Sequence, residues 1–274
     1  MTNNGDAFSG AGERNRQLRE FYQAAYAKGA DVAFSNWSAT EADAVVASSI
    51  DWAGKRVLDV GCGVGRLSRL LRDAGADSVV GIDYAEEAIQ QAKDQNEDAS
   101  IGFHCVDVFD FAPDASFDAV VTLGTMEHMD DPERFLSHIS GCLSPTGRIV
   151  VTCPHFLNIR GFIWMALSGL FEVPMSLSDL HFIHPWDMAR WASGVGMKVA
   201  SLSSVDESRG SGERLIEDFE KRLPNALRDA GFDTGNVDRF MSYLREAVTF
   251  ADTDDRLSFH GATALYVLER EAAA

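Results

Sequence analysis

The most constraining stretch of this chain is Arg56-Val57-Leu58-Asp59-Val60-Gly61-Cys62-Gly63-Val64-Gly65-Arg66-Leu67. An apolar, β-rich run carrying one acid meets three alternating glycines, and a helical pattern follows. That order predicts a buried strand, a tight turn and a helix start. Glycine has no Cβ, so the backbone there can turn sharply and come close to a ligand. The first amides of the following helix have no partner inside that helix and point outward. The turn therefore suits a ligand with polar and anionic groups.

The rest of the chain repeats the alternation. Strands are predicted over 55–60, 78–82, 101–106, 117–123 and 147–153, with further strands over 198–202 and 262–268. Leu67, Leu70 and Leu71 mark the helix after the glycines, with Gly75 as its stop. A second helix runs over 85–95 with Glu86 and Glu87 in its first turn, where the helix dipole favours acids. Asp131-Pro132-Glu133 reads as a cap followed by proline at the first helical position, opening a helix to about Leu143. Pro185 opens another, through Met188 and Trp191. Repeated β-α-β units predict a mainly parallel sheet covered on both faces.

Charge and composition exclude several classes. The chain has 274 residues and a formal net charge of -18, with 24 Lys and Arg against 42 Asp and Glu. Counterion-driven nucleic-acid binding needs basic clusters, and none stands out. The first residues have no basic or apolar region of the secretory kind. The greasiest stretch, 161–175, is broken by Ser168, Gly169, Glu172 and Pro174 and is too short to span a bilayer. Cys62, Cys105, Cys142 and Cys153 form no C-x-x-C pair, so buried thiols of a cytoplasmic protein are expected.

A glycine turn alone is weak evidence, and three features strengthen it. Asp83 follows Gly63 by 20 residues at the end of the second strand, where a carboxylate can accept both hydroxyls of a ribose. Asp107-Val108 follows the third strand and offers a carboxylate to an adenine amino group and an apolar side chain to its ring. The fourth strand ends in Thr122-Leu123-Gly124. All of these lie at carboxyl ends of neighbouring strands, where open α/β sheets bind ligands.

Val57 to Gly65, Gly81-Ile82-Asp83-Tyr84 and Asp107 together resemble the motifs of class I S-adenosylmethionine-dependent methyltransferases. The dinucleotide fingerprint of dehydrogenases places its third glycine where this chain has Arg66, which disfavours an NAD site. The resemblance covers about 55–202 plus the last strand. It implies a Rossmann-like sheet of seven strands with the last antiparallel, and S-adenosylmethionine as the donor, giving S-adenosylhomocysteine. It assigns Gly61, Cys62, Gly63 and Gly65 to the methionine moiety, Asp59 to its amino group, Asp83 to the ribose, and Tyr84, Asp107, Val108 and Leu123 to the adenine side.

Thr125-Met126-Glu127-His128 with Asp130-Asp131-Pro132 resembles a segment of ubiquinone-type O-methyltransferases. In that family a further Glu, three positions before the Glu-His, completes a metal-binding set. Here that position is Gly124, so no metal is expected. His128 and His155 are the candidate bases. Pro154-His155-Phe156-Leu157-Asn158 and the run to Met175 match the family's insertion, and Asp179 to Pro185 resembles its return.

Two helical lids are expected at about 154–180 and 208–255, with residues 1–54 completing the cap on a methyltransferase domain of 55–274. Tyr22, Tyr26, Asn158, Trp164, His181 and His184 are the candidate acceptor contacts. The expected partner is a small, apolar or aromatic acceptor methylated at oxygen, and the greasy lid also suits a membrane surface. The alternatives are N- or C-methylation of a metabolite, or donor binding without catalysis.

Overall fold

The structure, a computed structural model, describes residues 11–27, 39–96, 98–173, 181–251 and 261–270. Helices α1 (Ala11–Ala27) and α2 (Ala39–Ser48) precede the alternating core. That core runs β1 (Arg56–Val60), α3 (Arg66–Asp73), β2 (Ser78–Asp83), α4 (Glu86–Gln95), β3 (Ile101–Cys105), β4 (Phe117–Leu123), α5 (Pro132–Gly141) and β5 (Leu143–Pro154). Then come α6 (Ile159–Phe171), α7 (Pro185–Gly194), β6 (Met197–Val205), α8 (Glu207–Gly210), α9 (Glu213–Asp229), α10 (Val237–Ala251) and β7 (Thr263–Arg270). Asp179, at the start of the expected return segment, lies outside the described residues.

The strands form one seven-stranded sheet in the order β3-β2-β1-β4-β5-β7-β6. Strands β1 to β5 pair in parallel, and β7 runs antiparallel to both β5 and β6, as expected. The order reverses between β1 and β4, which opens a crevice at their carboxyl ends. Central strands of such a sheet are buried on both sides, and the run from Val57 to Val60 is buried throughout.

Side chains of β1 alternate between two cores. Leu58 and Val60 join Phe135, Ile139, Ile149 and Met188 under α5 and α7. Val57 joins Val46, Trp52, Leu71, Val79 and Ile89 under α2, α3 and α4. Helix α2 is thus an integral part of the sheet's covering. The Asp131 cap forms as expected: its carboxylate accepts from the amide of Arg134 at 2.9 Å, with Pro132 in the first turn. Asp131→Ala is expected to cost about 1 kcal/mol in urea unfolding. A loss within error would show that the cap contributes nothing.

The insertions make a third core. Phe156, Trp164, Leu215, Phe219, Leu223, Met241, Leu244 and Val248 pack together, so the two expected lids share one interior. Partly buried ion pairs fasten this unit: Arg160 to Asp218 at 3.1 Å, and Arg209 and Arg214 to Asp206 at 3.3 and 3.2 Å.

The apolar run after β5 forms the helix α6. Pro224 sits inside α9. Leu215, Phe219 and Leu223 are buried on one face of that helix, and this packing offsets the backbone bond that a proline removes. Helix α9 ends at Gly231, whose φ of 79° no β-carbon favours. There Phe232 N donates to Leu227 O at 2.8 Å and Gly231 N to Arg228 O at 2.9 Å, a Schellman closure.

Candidate active site

The glycine turn leaves β1 at the switch point. Gly61 N and Cys62 N both donate to Ile82 O of β2, at 2.9 and 3.0 Å, which draws the turn over the neighbouring strand. Gly63 and Gly65 have φ of 51° and 77°, in the left-handed region. A Cβ at Gly63 would stand 2.7 Å from the Tyr26 hydroxyl, so any side chain there would fill the space between the turn and α1. Arg66 opens α3 and grips the buried Asp43 of α2. It therefore holds α2 to the turn at the position where a dehydrogenase would have its third glycine.

Two acids, one buried and one half-buried, face this turn. Asp59 is 1% exposed and accepts the Ser68 hydroxyl at 2.6 Å. Burial pushes its carboxyl up to about 7, against the partial relief of that bond, and the nearby Asp43 and Asp83 add to the rise. Asp83 accepts from Ala85 N at 2.8 Å and from Gly63 N at 3.1 Å. It thus joins the end of β2 to both the glycine turn and the start of α4. Burial also raises its carboxyl, opposed by those amides.

Around these acids lies the rest of the expected donor set. Cys62 is buried, and burial pushes its thiol well above the usual range. Tyr84 has the Arg19 guanidinium 5.4 Å above its ring and Tyr22 edge-on at 6.3 Å. Asp107 accepts from Phe109 N at 3.0 Å and so shapes the loop after β3. Val108 and Leu123 are half-buried and pack against the two faces of the core.

Several contributors were not legible in the sequence. Asn96 donates to Val64 O at 2.9 Å and clamps the turn to the end of α4. Gln91 donates to Tyr26 O at 3.0 Å and ties α1 over the crevice. Ser68 and Arg19 likewise carry no motif. Contacts across such separations leave no local periodic signal.

The expected acceptor contacts separate. Tyr22 lies between Tyr84 and His128, its ring 6.0 Å from the imidazole. Tyr26 stands over the glycine turn, its hydroxyl 2.7 Å from where a Cβ on Gly63 would lie. Burial and the Asp83 charge push its phenol far up. His155 is 1% exposed, and its Nε2 has no hydrogen-bond partner. Burial and then His184 lower its affinity for a proton. His181 Nε2 lies 2.9 Å from Met129 O. His184 caps α7, with Nδ1 at 3.2 Å from Asp187 Oδ2.

Two of the expected contacts lie in the interior. Asn158 accepts from Gly161 N at 2.7 Å and donates to His155 O and Gly261 O at 3.0 and 2.7 Å. At 3% exposure its amide is spent on starting α6, not on an acceptor. Trp164 has no exposed surface and stacks on Phe219 at 5.1 Å, so it belongs to the interior of the cap. Among the described residues, no three His, Cys, Asp or Glu side chains cluster as metal ligands would. No described helix is long and apolar enough to cross a membrane.

Comparison with known proteins agrees with this geometry. A family model described as a methyltransferase domain matches residues 58–151, from the first strand through the fifth. The ubiquinone biosynthesis O-methyltransferase of Neisseria meningitidis serogroup C is 33% identical over 164 residues, covering 57% of this chain and 68% of that protein. The chain belongs to the class I S-adenosylmethionine-dependent methyltransferases. Its counterpart from Coxiella burnetii is 28% identical over 167 residues, covering 58% of this chain and 70% of the relative.

A solved 1,6-didemethyltoxoflavin-N1-methyltransferase of Burkholderia thailandensis, with S-adenosylhomocysteine bound, shares the fold. Its TM-score is 0.60 at 14% identity, over 99% of this chain and 95% of that one. The methyltransferase assignment makes S-adenosylmethionine the donor and methyl transfer the activity. The glycine turn and the acid at the end of β2 suit that donor. A cradle that a Cβ would fill meets a carboxylate already aimed at the turn.

Proposed function

We propose that this methyltransferase transfers the methyl group to an oxygen of a small, apolar or aromatic acceptor such as a phenol. The observation that carries the reading is His155, a buried imidazole at the carboxyl end of β5 whose Nε2 has no hydrogen-bond partner. The naming of both relatives as O-methyltransferases supports it. A phenol keeps its proton at neutral pH and gains from a hydrogen-bonding base, whereas a tertiary amine does not. Three cysteines are buried and none is in a disulfide, which suits a reducing cytoplasm.

On this reading residues 1–54 complete the cap, and 55–274 form the catalytic domain with insertions at about 154–180 and 208–255. Bound S-adenosylmethionine supplies an activated methyl group on a sulfonium. Gly61, Cys62, Gly63 and Gly65 line its methionine end, with Tyr26 over the turn. Asp59 answers its ammonium, Asp83 its ribose hydroxyls, and Tyr84, Asp107, Val108 and Leu123 its adenine. Tyr22 and His128 form the wall between donor and acceptor, and His155 hydrogen-bonds the acceptor. Alignment supplies much of the acceleration, as well-oriented reactants gain roughly 7–11 kcal/mol.

Release of S-adenosylhomocysteine from a panel of phenols and amines tests the acceptor class. Turnover of phenols is expected, and turnover confined to amines contradicts the reading. The Asp59 role has a pH signature. The free folded carboxyl, raised from 3.8 to about 7, holds a proton below that pH that the donor's ammonium disfavours. Donor affinity should therefore fall as pH drops through 7, by up to about tenfold per unit. Calorimetry of Asp59→Asn should lose this slope. An unchanged slope would remove Asp59 from the ammonium site.

A further inference from the structure

The histidines beyond β5 are held differently. His184 Nδ1 meets Asp187 Oδ2 at 3.2 Å, and the same oxygen accepts from His184 N at 3.2 Å. The other Asp187 oxygen accepts from Arg190 at 2.8 Å. The imidazole lies flat on Trp186, with ring centres 4.5 Å apart and planes 10° from parallel, and Phe156 closes in at 6.0 Å. The ring is therefore fixed in rotation by a carboxylate on one nitrogen and by two aromatic faces. A carboxylate only accepts, so the tautomer that bonds Asp187 is the one with its proton on Nδ1, and that tautomer leaves Nε2 as a lone pair. By contrast, His155 is buried, and no carboxylate bonds its ring. Burial and the neighbouring His184 both oppose a proton on it.

We propose that His184 is the group that takes the acceptor's proton, and that Asp187 is its positioning residue. The assignment rests on the oxygen-methylation reading above. It divides the work between two histidines that are held differently: a carboxylate meets the ring of His184, and none meets that of His155. His155 stays neutral and orients the acceptor oxygen. His184 Nε2 receives the phenol proton as the oxygen forms its bond to the methyl carbon. The electron pair of the broken carbon–sulfur bond stays with the departing sulfur. Asp187 then faces an imidazolium, and the proton leaves to solvent through the partly exposed side of that ring. The groups facing His184 are Asp187, Trp186 and Arg190 of α7, and His155 and Phe156 beyond β5.

Asp187 also caps the backbone of α7, so the test must separate the two roles. Asn at 187 can still accept from His184 N through its carbonyl oxygen, but carries no charge for the ring. With 3,4-dihydroxybenzoate as the probe acceptor, Asp187→Asn should lower kcat on the order of 10²-fold. Its melting temperature and its KM for the donor should stay at the wild-type values. His184→Asn keeps a good cap residue and should lose kcat similarly. Nitrogen-15 NMR of the imidazoles should show the Nδ1–H tautomer for His184 in the wild type and a shift toward Nε2–H in Asp187→Asn. A wild-type kcat in Asp187→Asn, or a wild-type His184 protonated on Nε2, overturns the dyad alone. A wild type that methylates amines in the panel but no phenol sinks the acceptor reading, and this assignment with it.

Discussion

Asp83→Ala should bind S-adenosylmethionine on the order of 10²-fold more weakly than the wild type, because it loses charge-assisted hydrogen bonds worth roughly 1.5–3 kcal/mol each. The same carboxylate also accepts from Gly63 N and Ala85 N. Alanine therefore strips two backbone amides of their partner and should lower stability as well. Asp83→Asn separates the effects. Its carbonyl oxygen can keep one amide, and loss of the charge relieves the burial that raises this carboxyl. Thermal melting of the asparagine variant should stay near the wild type, while calorimetry shows at least about tenfold weaker donor binding. Wild-type affinity in both variants would place the ribose elsewhere.

Trp164→Ala should destabilise the protein by about 3–5 kcal/mol, the range for a large aromatic removed from a core. Trp164 has no exposed surface, stacks on Phe219, and has the Arg222 guanidinium 5.1 Å from its ring centre. Its removal empties the middle of the cap, where α6, α9 and α10 meet, and leaves the glycine turn untouched. Urea unfolding should report the loss. Calorimetry at a temperature where the variant remains folded should report donor affinity close to the wild type. A cost below about 1 kcal/mol would mean that the residue lines an adaptable pocket.

The glycine turn and the acids around it were legible because their requirements are local. Three alternating glycines, an acid at the next strand end and another after the third strand sit within short runs, and each answers a backbone need. The sheet followed from the same alternation of strand and helix. The core of the two insertions was legible only in outline. It joins Phe156 and Trp164 to Phe219 and Leu244, and a greasy run does not tell which of its side chains turn inward. Asn158 and Trp164 looked like pocket residues by type, yet one starts a helix and the other fills its interior. Tertiary packing carries α9 through Pro224, which local propensity alone does not announce. Asn96 reaches back to Val64, a contact that no spacing announces.

The central claim is methyl transfer to an oxygen of a small acceptor. Incubation of the protein and cell extract with S-adenosylmethionine carrying a carbon-13 methyl, followed by mass spectrometry and carbon NMR of the labelled product, tests it most directly. The account predicts a small phenolic product whose label resides on oxygen. A label on nitrogen or carbon, or on a macromolecule, would contradict it.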